Sequence, residues 1–307
     1  MGGRQIEPAI PLWHKISVTS SWLQLSVRAA PAALDIIGNF LIERGSPGVV
    51  LKGSEVRAFF PSSGMASTLK RDVQQFLRGI SEIFPEVTGQ PLRWTVLEDK
   101  NWNDSWRRFF SPQKVAKGFL VTPPWLSTPR SAGRKVITIE PGMAFGTGTH
   151  PTTRCCLELL EEVTAWQTRE KIAALDVGTG SGILAIALAK MGVREILALD
   201  NDPIALKVAQ ANIRRNRVRG AVTLSNTGLK RVKGPFTIVV ANLTAETIID
   251  LAPALRKQVS RGGYLILSGI LNQRIPEVVR VFVTKPFALV RQKDSKGWTT
   301  LLFIKER

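Results

Sequence analysis

Two carboxylates and three glycines are spaced so that they could hold a nucleoside-containing ligand. Asp176 closes an apolar run, and Gly178, Gly180 and Gly182 follow at every second position before a proline-free stretch of Ile, Leu and Ala. That pattern reads as strand, glycine turn, helix. Glycine has no Cβ, so the turn can be tight and a ligand can approach its backbone. The first N–H groups of the following helix have no partner within the helix and face whatever sits there. The next apolar run, Glu195 to Leu199, is followed by Asp200. A carboxylate at a strand end is placed to accept both hydroxyls of a ribose. The glycine spacing is G-x-G-x-G, whereas dinucleotide folds carry G-x-G-x-x-G. The turn together with Asp200 points to a nucleoside-containing cofactor without saying which one.

A second constellation is Pro141-Gly-Met-Ala-Phe-Gly-Thr-Gly-Thr-His-Pro-Thr-Thr153. Three glycines and four threonines suit a turn-rich loop leading into a helix, with Thr152 or Thr153 as its cap. The same small hydroxyl and glycine positions also suit a backbone laid over a ligand. His150 could serve as a general base or hold the loop. Phe145 could cover a ligand or belong to the core. Asp176 is placed to order the glycine turn.

Composition narrows the classes. The chain has 307 residues, 44% of them hydrophobic, enough for one large or two ordinary domains with a real core. No stretch approaches the ~18 uncharged apolar residues of a membrane span, and no basic segment followed by an apolar core suggests a secretory leader. The two cysteines are adjacent, Cys155 and Cys156, which fits a reducing, cytoplasmic setting. With only two histidines, no Cys/His spacing suggests a metal site. The net charge of +18 is clustered, at Arg214–Arg219, Lys230–Lys233 and Arg256–Arg261. Such clusters suit RNA or a nucleoprotein, and equally suit solvated helix ends.

These groups need elements to position them. Residues 22–97 read strand, helix, strand, strand, helix, strand: Trp22–Val27, Pro31–Arg44, Val49–Leu51, Val56–Phe60, Ser67–Phe84 and Leu92–Leu97. That is the order of a ferredoxin-like α+β module. Residues 98–112 are polar and aromatic. Trp102, Trp106 and Phe109 share a helical side, which suggests a linker helix. Phe119–Trp125 and Lys135–Ile139 read as strands. From residue 172 strands alternate with helices, which implies a parallel sheet covered on both faces. Gly262-Gly263 would end the helix that begins near Ala245. The last two strands, Phe287–Gln292 and Thr299–Ile304, are too closely linked for a parallel crossover and must be antiparallel. That ending is unusual for a dehydrogenase and fits the seven-stranded methyltransferase fold. The expected organisation is therefore an N-terminal α+β domain over 1–97, a linker over 98–130 and an α/β, Rossmann-like class I methyltransferase domain over 131–307.

Met143 to Thr153, Asp176 to Ile186, Ala241-Asn-Leu-Thr244 and Gly263 to Leu271 together resemble the PrmA family, bacterial methyltransferases of large-subunit ribosomal protein L11. The resemblance implies S-adenosylmethionine as cofactor, an N-terminal domain that docks the ribosomal protein, and methyl transfer to lysine ε-amines and an N-terminal α-amine. It implies cofactor contacts from Thr153, Gly178, Asp200 and Asn242, and Gly180 joins them as part of the same turn. Asn242, at a strand end, could also accept a hydrogen bond from the attacking amine, so it and His150 are the catalytic candidates. The expected partner is ribosomal protein L11, free or on the large subunit. That protein is itself basic, so the positive chain suggests an added contact with ribosomal RNA. The other readings are a lysine methyltransferase with another target, such as an electron-transfer flavoprotein subunit, and a non-catalytic ribosome- or RNA-binding relic. Where the family usually has Asn-Ile-Leu-Ala, this chain has Asn242-Leu-Thr-Ala245, which would place Thr244 at the pocket mouth.

Overall fold

The computed structural model describes residues 21–46, 49–61, 66–82, 84–85, 92–98, 111–126, 131, 133–140, 148, 150–166 and 172–306. Residues 1–20 of the expected N-terminal domain, the aromatic linker stretch with Trp102, Trp106 and Phe109, and Phe145 lie outside them.

The first elements are β1 (Ser21–Arg28), α1 (Pro31–Glu43), β2 (Val49–Lys52), β3 (Glu55–Pro61), α2 (Ala66–Ile80) and β4 (Arg93–Glu98). The four strands form one sheet in the order β2-β3-β1-β4 with every neighbour antiparallel, the ferredoxin-like arrangement expected. Leu25 and Val27 of β1 and Ala58 and Phe60 of β3 face Ile37 and Leu41 of α1 and Leu69 and Val73 of α2. The second helix ends at Ile80, short of the expected Phe84. There Ser81 turns its hydroxyl back to Arg78 O (2.6 Å), a local bond that competes with continued helix.

The larger part of the chain alternates: α3 (Pro151–Trp166), β8 (Ala173–Val177), α4 (Ile183–Lys190), β9 (Glu195–Leu199), α5 (Pro203–Arg215), β10 (Val222–Ser225), β11 (Phe236–Asn242), α6 (Ala245–Gln258), β12 (Val259–Leu271), α7 (Ile275–Phe282), β13 (Phe287–Ser295) and β14 (Trp298–Lys305). Their seven-stranded sheet has the order β10-β9-β8-β11-β12-β14-β13. The first five strands in that order are parallel, β14 is antiparallel to β12, and β13 is antiparallel to β14. Successive residues feed opposite layers. Ala174, Ile238 and Val240 face α3, α4 and α5, whereas Leu175, Val239 and Ala241 face α6 and α7. Both faces are apolar, so these strands show no apolar–polar alternation. The terminal hairpin turns on Lys296 and Gly297 alone, with φ of 50° and 84°. That two-residue turn with both φ positive matches the twist of its strands, which run closer to the turn, to Ser295 and from Trp298, than the expected ends at Gln292 and Thr299.

A separate three-stranded sheet joins β5 (Gln113–Val115), β6 (Phe119–Thr122) and β7 (Lys135–Thr138). Two of these strands were expected; β5 was not. The sheet is tied to the larger layer by Glu161 of α3, which accepts from Gly118 N–H (2.7 Å), and by Asn216, whose side chain bonds both Thr138 N–H (2.9 Å) and Thr138 O (2.7 Å). No described helix is long and apolar enough to cross a membrane.

Gly262-Gly263 does not cap α6. The helix passes directly into β12, with Val259 already extended (φ −84°, ψ 129°). Gly263 serves close packing instead, since a Cβ there would lie 2.9 Å from Thr237 O on β11. Gly269 is tighter still. Its φ is 86°, and a Cβ would lie 2.2 Å from the carbonyl oxygen of Leu243. Backbone cannot swing aside as a side chain can. Gly269→Ala is therefore expected to lose ~3 kcal/mol or more of stability, read as a fall in Tm. A melting curve like the wild type's would show that the two segments can separate.

Candidate functional site

The site lies along the carboxyl edge of β8, β9, β11 and β12, outside the strand ends where open sheets take ligands. The turn after β8 is held by β9. Gly178 and Thr179 both donate their N–H to Leu199 O (2.9 and 2.8 Å). Gly180 N–H donates to Asp200 Oδ2 (2.8 Å). Gly178, Gly180 and Gly182 all have positive φ, 72°, 54° and 82°. At Gly178 a Cβ would also sit 2.4 Å from Leu243 Cδ2. The glycines are thus required by conformation, and at Gly178 by space as well.

Asp200 is oriented before any ligand arrives. Its Oδ2 accepts from Gly180 and its Oδ1 from Asp202 N–H (3.0 Å). Each oxygen keeps a further lone pair for an incoming hydroxyl. Asp202 in turn caps α5, accepting from Ile204 N–H (2.8 Å), with Pro203 in the first turn. Asp176 lies wholly buried beneath the turn, where its Oδ2 accepts from the Thr179 hydroxyl (2.6 Å). Burial pushes its pKa up to about 6, opposed by that hydrogen bond. It orders the glycine turn, the role its position suggested.

The expected capping by Thr152 or Thr153 is corrected. The helix α3 starts at Pro151, which places both threonines in its first turn and His150 at the N-cap. Thr152 N–H donates to His150 Nδ1 (3.3 Å), and the Thr152 hydroxyl lies 2.6 Å from the same nitrogen. The imidazole packs edge-on against Trp298, with centroids 5.2 Å apart. Burial, aided by the charge of Lys296, lowers its pKa to about 4. Because the folded pKa lies below the unfolded ~6.5, this group's stabilisation is complete above pH 6.5 and is lost as pH falls toward 4, by about 3 kcal/mol. His150→Asn keeps a capping side chain without the titration. Its Tm should fall less than the wild type's between neutral and acid pH, and equal losses would place the acid-sensitive group elsewhere.

Thr153 is fully buried, and its Oγ1 has no hydrogen-bond partner among the described residues. The same holds for Oδ1 of Asn242, at the end of β11. Buried polar atoms are nearly always paired, so these two at one sheet edge fit a ligand with polar groups to meet them. They are neighbours through Ser268. Asn242 pairs with Ser268 across β11 and β12, and the Ser268 hydroxyl contacts Thr152 O (3.4 Å) and Thr300 Oγ1 (2.6 Å). Sequence reading missed Ser268 and Thr300; the signal was two hydroxyls inside otherwise apolar strands. Thr244, expected at the pocket mouth, caps α6 by accepting from Thr247 N–H (3.4 Å). The structure thus brings Thr153, Gly178, Gly180, Asp200 and Asn242 to one edge, with His150 supporting α3 beside them. This set fits a cofactor with ribose hydroxyls to donate, a polar portion for those two buried atoms, and a stretch that must pass close to backbone.

A seven-stranded sheet of this order, parallel except for a C-terminal hairpin, with a glycine turn and a strand-end carboxylate at its carboxyl edge, defines a class I methyltransferase domain. The sequence profile of the ribosomal protein L11 methyltransferase (PrmA) family matches residues 21–306, and the chain belongs to that family. Among its relatives, the ribosomal protein L11 methyltransferase of Citrifermentans bemidjiense is 34% identical over 306 residues, spanning 94% of this chain and 99% of its own. That of Geobacter sulfurreducens is 36% identical over 302 residues, spanning 93% and 98%. A solved ribosomal protein L11 methylase from Lactobacillus delbrueckii subsp. bulgaricus is 28% identical, with a TM-score of 0.57 over 64% of this chain and all of its own.

Proposed function

We propose that the chain transfers methyl groups from S-adenosylmethionine to lysine ε-amines and the N-terminal α-amine of ribosomal protein L11. The observation that carries this reading is Oδ1 of Asn242, buried and without a partner among the described residues, beside the glycine turn and Asp200. It is an acceptor held away from water at the edge where the amine must arrive. When bound, S-adenosylmethionine supplies a methyl group already activated on a sulfonium sulfur. The chain's own task is placement and exclusion of water. Gly178 and Gly180 let the backbone pass close to the cofactor. Asp200 accepts the ribose hydroxyls without giving up its backbone bonds, and the Thr153 hydroxyl holds a polar cofactor group. A lysine amine with its usual pKa of ~10.4 is mostly protonated at pH 7, and burial favours its neutral form. Asn242 then accepts one N–H of that amine and aims the lone pair. His150, engaged as a helix cap with a depressed pKa, supports the loop rather than taking a proton.

The ferredoxin-like sheet serves as the recognition domain, over residues 1–97, joined by a linker over 98–130 to the methyltransferase domain over 131–307. The setting is the cytoplasm, with the substrate free or on the large ribosomal subunit and ribosomal RNA touching the basic clusters. A relic without activity would have no need of Thr153, Gly178, Asp200 and Asn242 together. Incubation with radiolabelled cofactor and either free ribosomal protein L11 or large subunits tests the reading. Label on lysines and the N-terminus of that protein is expected. Label confined to RNA or to other proteins would overturn it.

A further inference from the structure

The amino edge of the seven-stranded sheet, opposite the site, has a chemistry of its own. Six of the seven strands bring a cation there. Arg219 precedes β10, Arg194 precedes β9, Lys233 precedes β11, Arg261 lies near the start of β12, Lys305 ends β14 and Lys285 precedes β13. Ile172 alone of the lead-in to β8 is described, and residues 167–171 lie outside the described residues. Neighbouring strands are ~4.8 Å apart, so this row runs for roughly 30 Å. All but Lys305 are exposed, and none of the six makes an ion pair among the described residues. The amino edge also carries two exposed carboxylates, Glu195 at the start of β9 and Glu306 after β14, so cations outnumber acids there by six to two, whereas Asp176, Asp200, Asp202 and Glu246 stand at the other edge.

The charges are crowded. Gln258 Nε2 donates to Val232 O (3.1 Å), which sets the Lys230–Lys233 turn beside Lys257. The pKa of Lys305 is pushed down by burial and then by Arg261 and Arg256 nearby. Helix ends explain part of the pattern, because Lys190, Arg214, Arg215 and Lys257 lie in or next to last turns, where cations offset the helix dipole. Arg194, Arg219, Lys233, Arg261 and Lys285 lie outside any helix and have no such role. The edge also displays an aromatic. Trp166, the last residue of α3, is 44% exposed, its ring 5.6 Å from that of Tyr264.

We propose that this edge binds RNA, with its arginines on backbone phosphates and Trp166 stacking on an unpaired base. Arginine's fork matches phosphate oxygens, and an exposed indole in a cationic row is the recurring platform for single-stranded nucleic acid. An anionic membrane surface would use the charge but has no need of the indole. The proposal deepens the ribosomal RNA contact above; it rests on this surface and not on the methyl-transfer chemistry.

The test is fluorescence anisotropy of the full chain with a short labelled single-stranded oligoribonucleotide, repeated across salt concentrations. The variants are Arg219→Glu combined with Arg261→Glu, and separately Trp166→Ala. Calorimetric binding of S-adenosylhomocysteine to each reports an intact fold and site. Wild-type affinity should fall linearly with salt on logarithmic axes, by about 0.7 per phosphate contacted. The double variant should bind at least about tenfold more weakly with a shallower slope, because it reverses two charges in the row. Trp166→Ala should bind about tenfold more weakly with the slope unchanged. Three outcomes overturn the proposal: no RNA binding at low salt, variants that bind both ligands like the wild type, or phosphatidylserine vesicles bound as tightly as RNA with no effect of Trp166→Ala. If the RNA results hold while ribosomal protein L11 stays unmethylated, this inference stands and the functional reading falls.

Discussion

Asp200→Ala is expected to remove measurable binding of S-adenosylhomocysteine, with affinity falling at least about a hundredfold. Two effects add. The ribose hydroxyls lose a charged acceptor, and hydrogen bonds to charged groups contribute about 1.5–3 kcal/mol each. The glycine turn also loses its fastening, because Asp200 Oδ2 holds Gly180 N–H and Oδ1 holds Asp202 N–H. Gly178→Val should have the same outcome by another route. A valine at φ 72° is strained, and its Cβ would start 2.4 Å from Leu243 Cδ2. Leu243 can turn its side-chain end away, so the fold should survive while the passage for the ligand closes. Calorimetry and melting curves on both variants separate loss of the site from loss of the fold. Near-normal affinity in Asp200→Ala would move the ribose elsewhere and undo the assignment of this edge.

Much of this arrangement is legible in the sequence, for reasons that can be named. The glycine turn is legible because three positions with positive φ leave few other residues possible. The terminal hairpin is legible because a short link forbids a parallel crossover. Doubly buried strands such as Phe236–Asn242 read as continuous apolar runs. What stayed hidden depends on contacts between distant segments. The sheet β5-β6-β7 cannot be seen locally, because its fastening to Glu161 and Asn216 spans 43 and 78 residues. The glycine pair at 262–263 looked like a helix end, yet one of its members is dictated by a strand packed beside it. The cap on α3 could have been found. Pro151 at the first helical position makes the residue before it the cap, and that residue is His150. Reading one of the threonines as the cap moved the helix start by two or three residues and left the histidine without its structural job. Thr244 likewise stands one residue ahead of α6, where its hydroxyl has a capping role that a departure from the family's usual leucine did not suggest.

Asn242→Ala should separate chemistry from stability. Oδ1 of Asn242 is buried with no partner among the described residues, and an unsatisfied buried polar atom costs about 1–3 kcal/mol. Removing it should leave the free protein as stable as the wild type or more so, with Tm equal or higher. A residue kept for packing would behave oppositely, since trimming it would only open a cavity. The turnover rate should move the other way. If Oδ1 accepts an N–H of the attacking amine, that contact aims the lone pair only in the reacting complex, and losing one such positioned group typically lowers kcat by 10²–10³-fold. Affinity for S-adenosylhomocysteine should fall less, about tenfold, because Gly178, Gly180, Asp200 and Thr153 remain. The decisive quantity is the ratio of these losses, measured with labelled cofactor and ribosomal protein L11. A kcat loss much larger than the affinity loss, without loss of Tm, is what an acceptor reserved for the amine requires. Equal losses would make Asn242 a cofactor contact alone, and the aiming of the amine would then belong to another group at this edge.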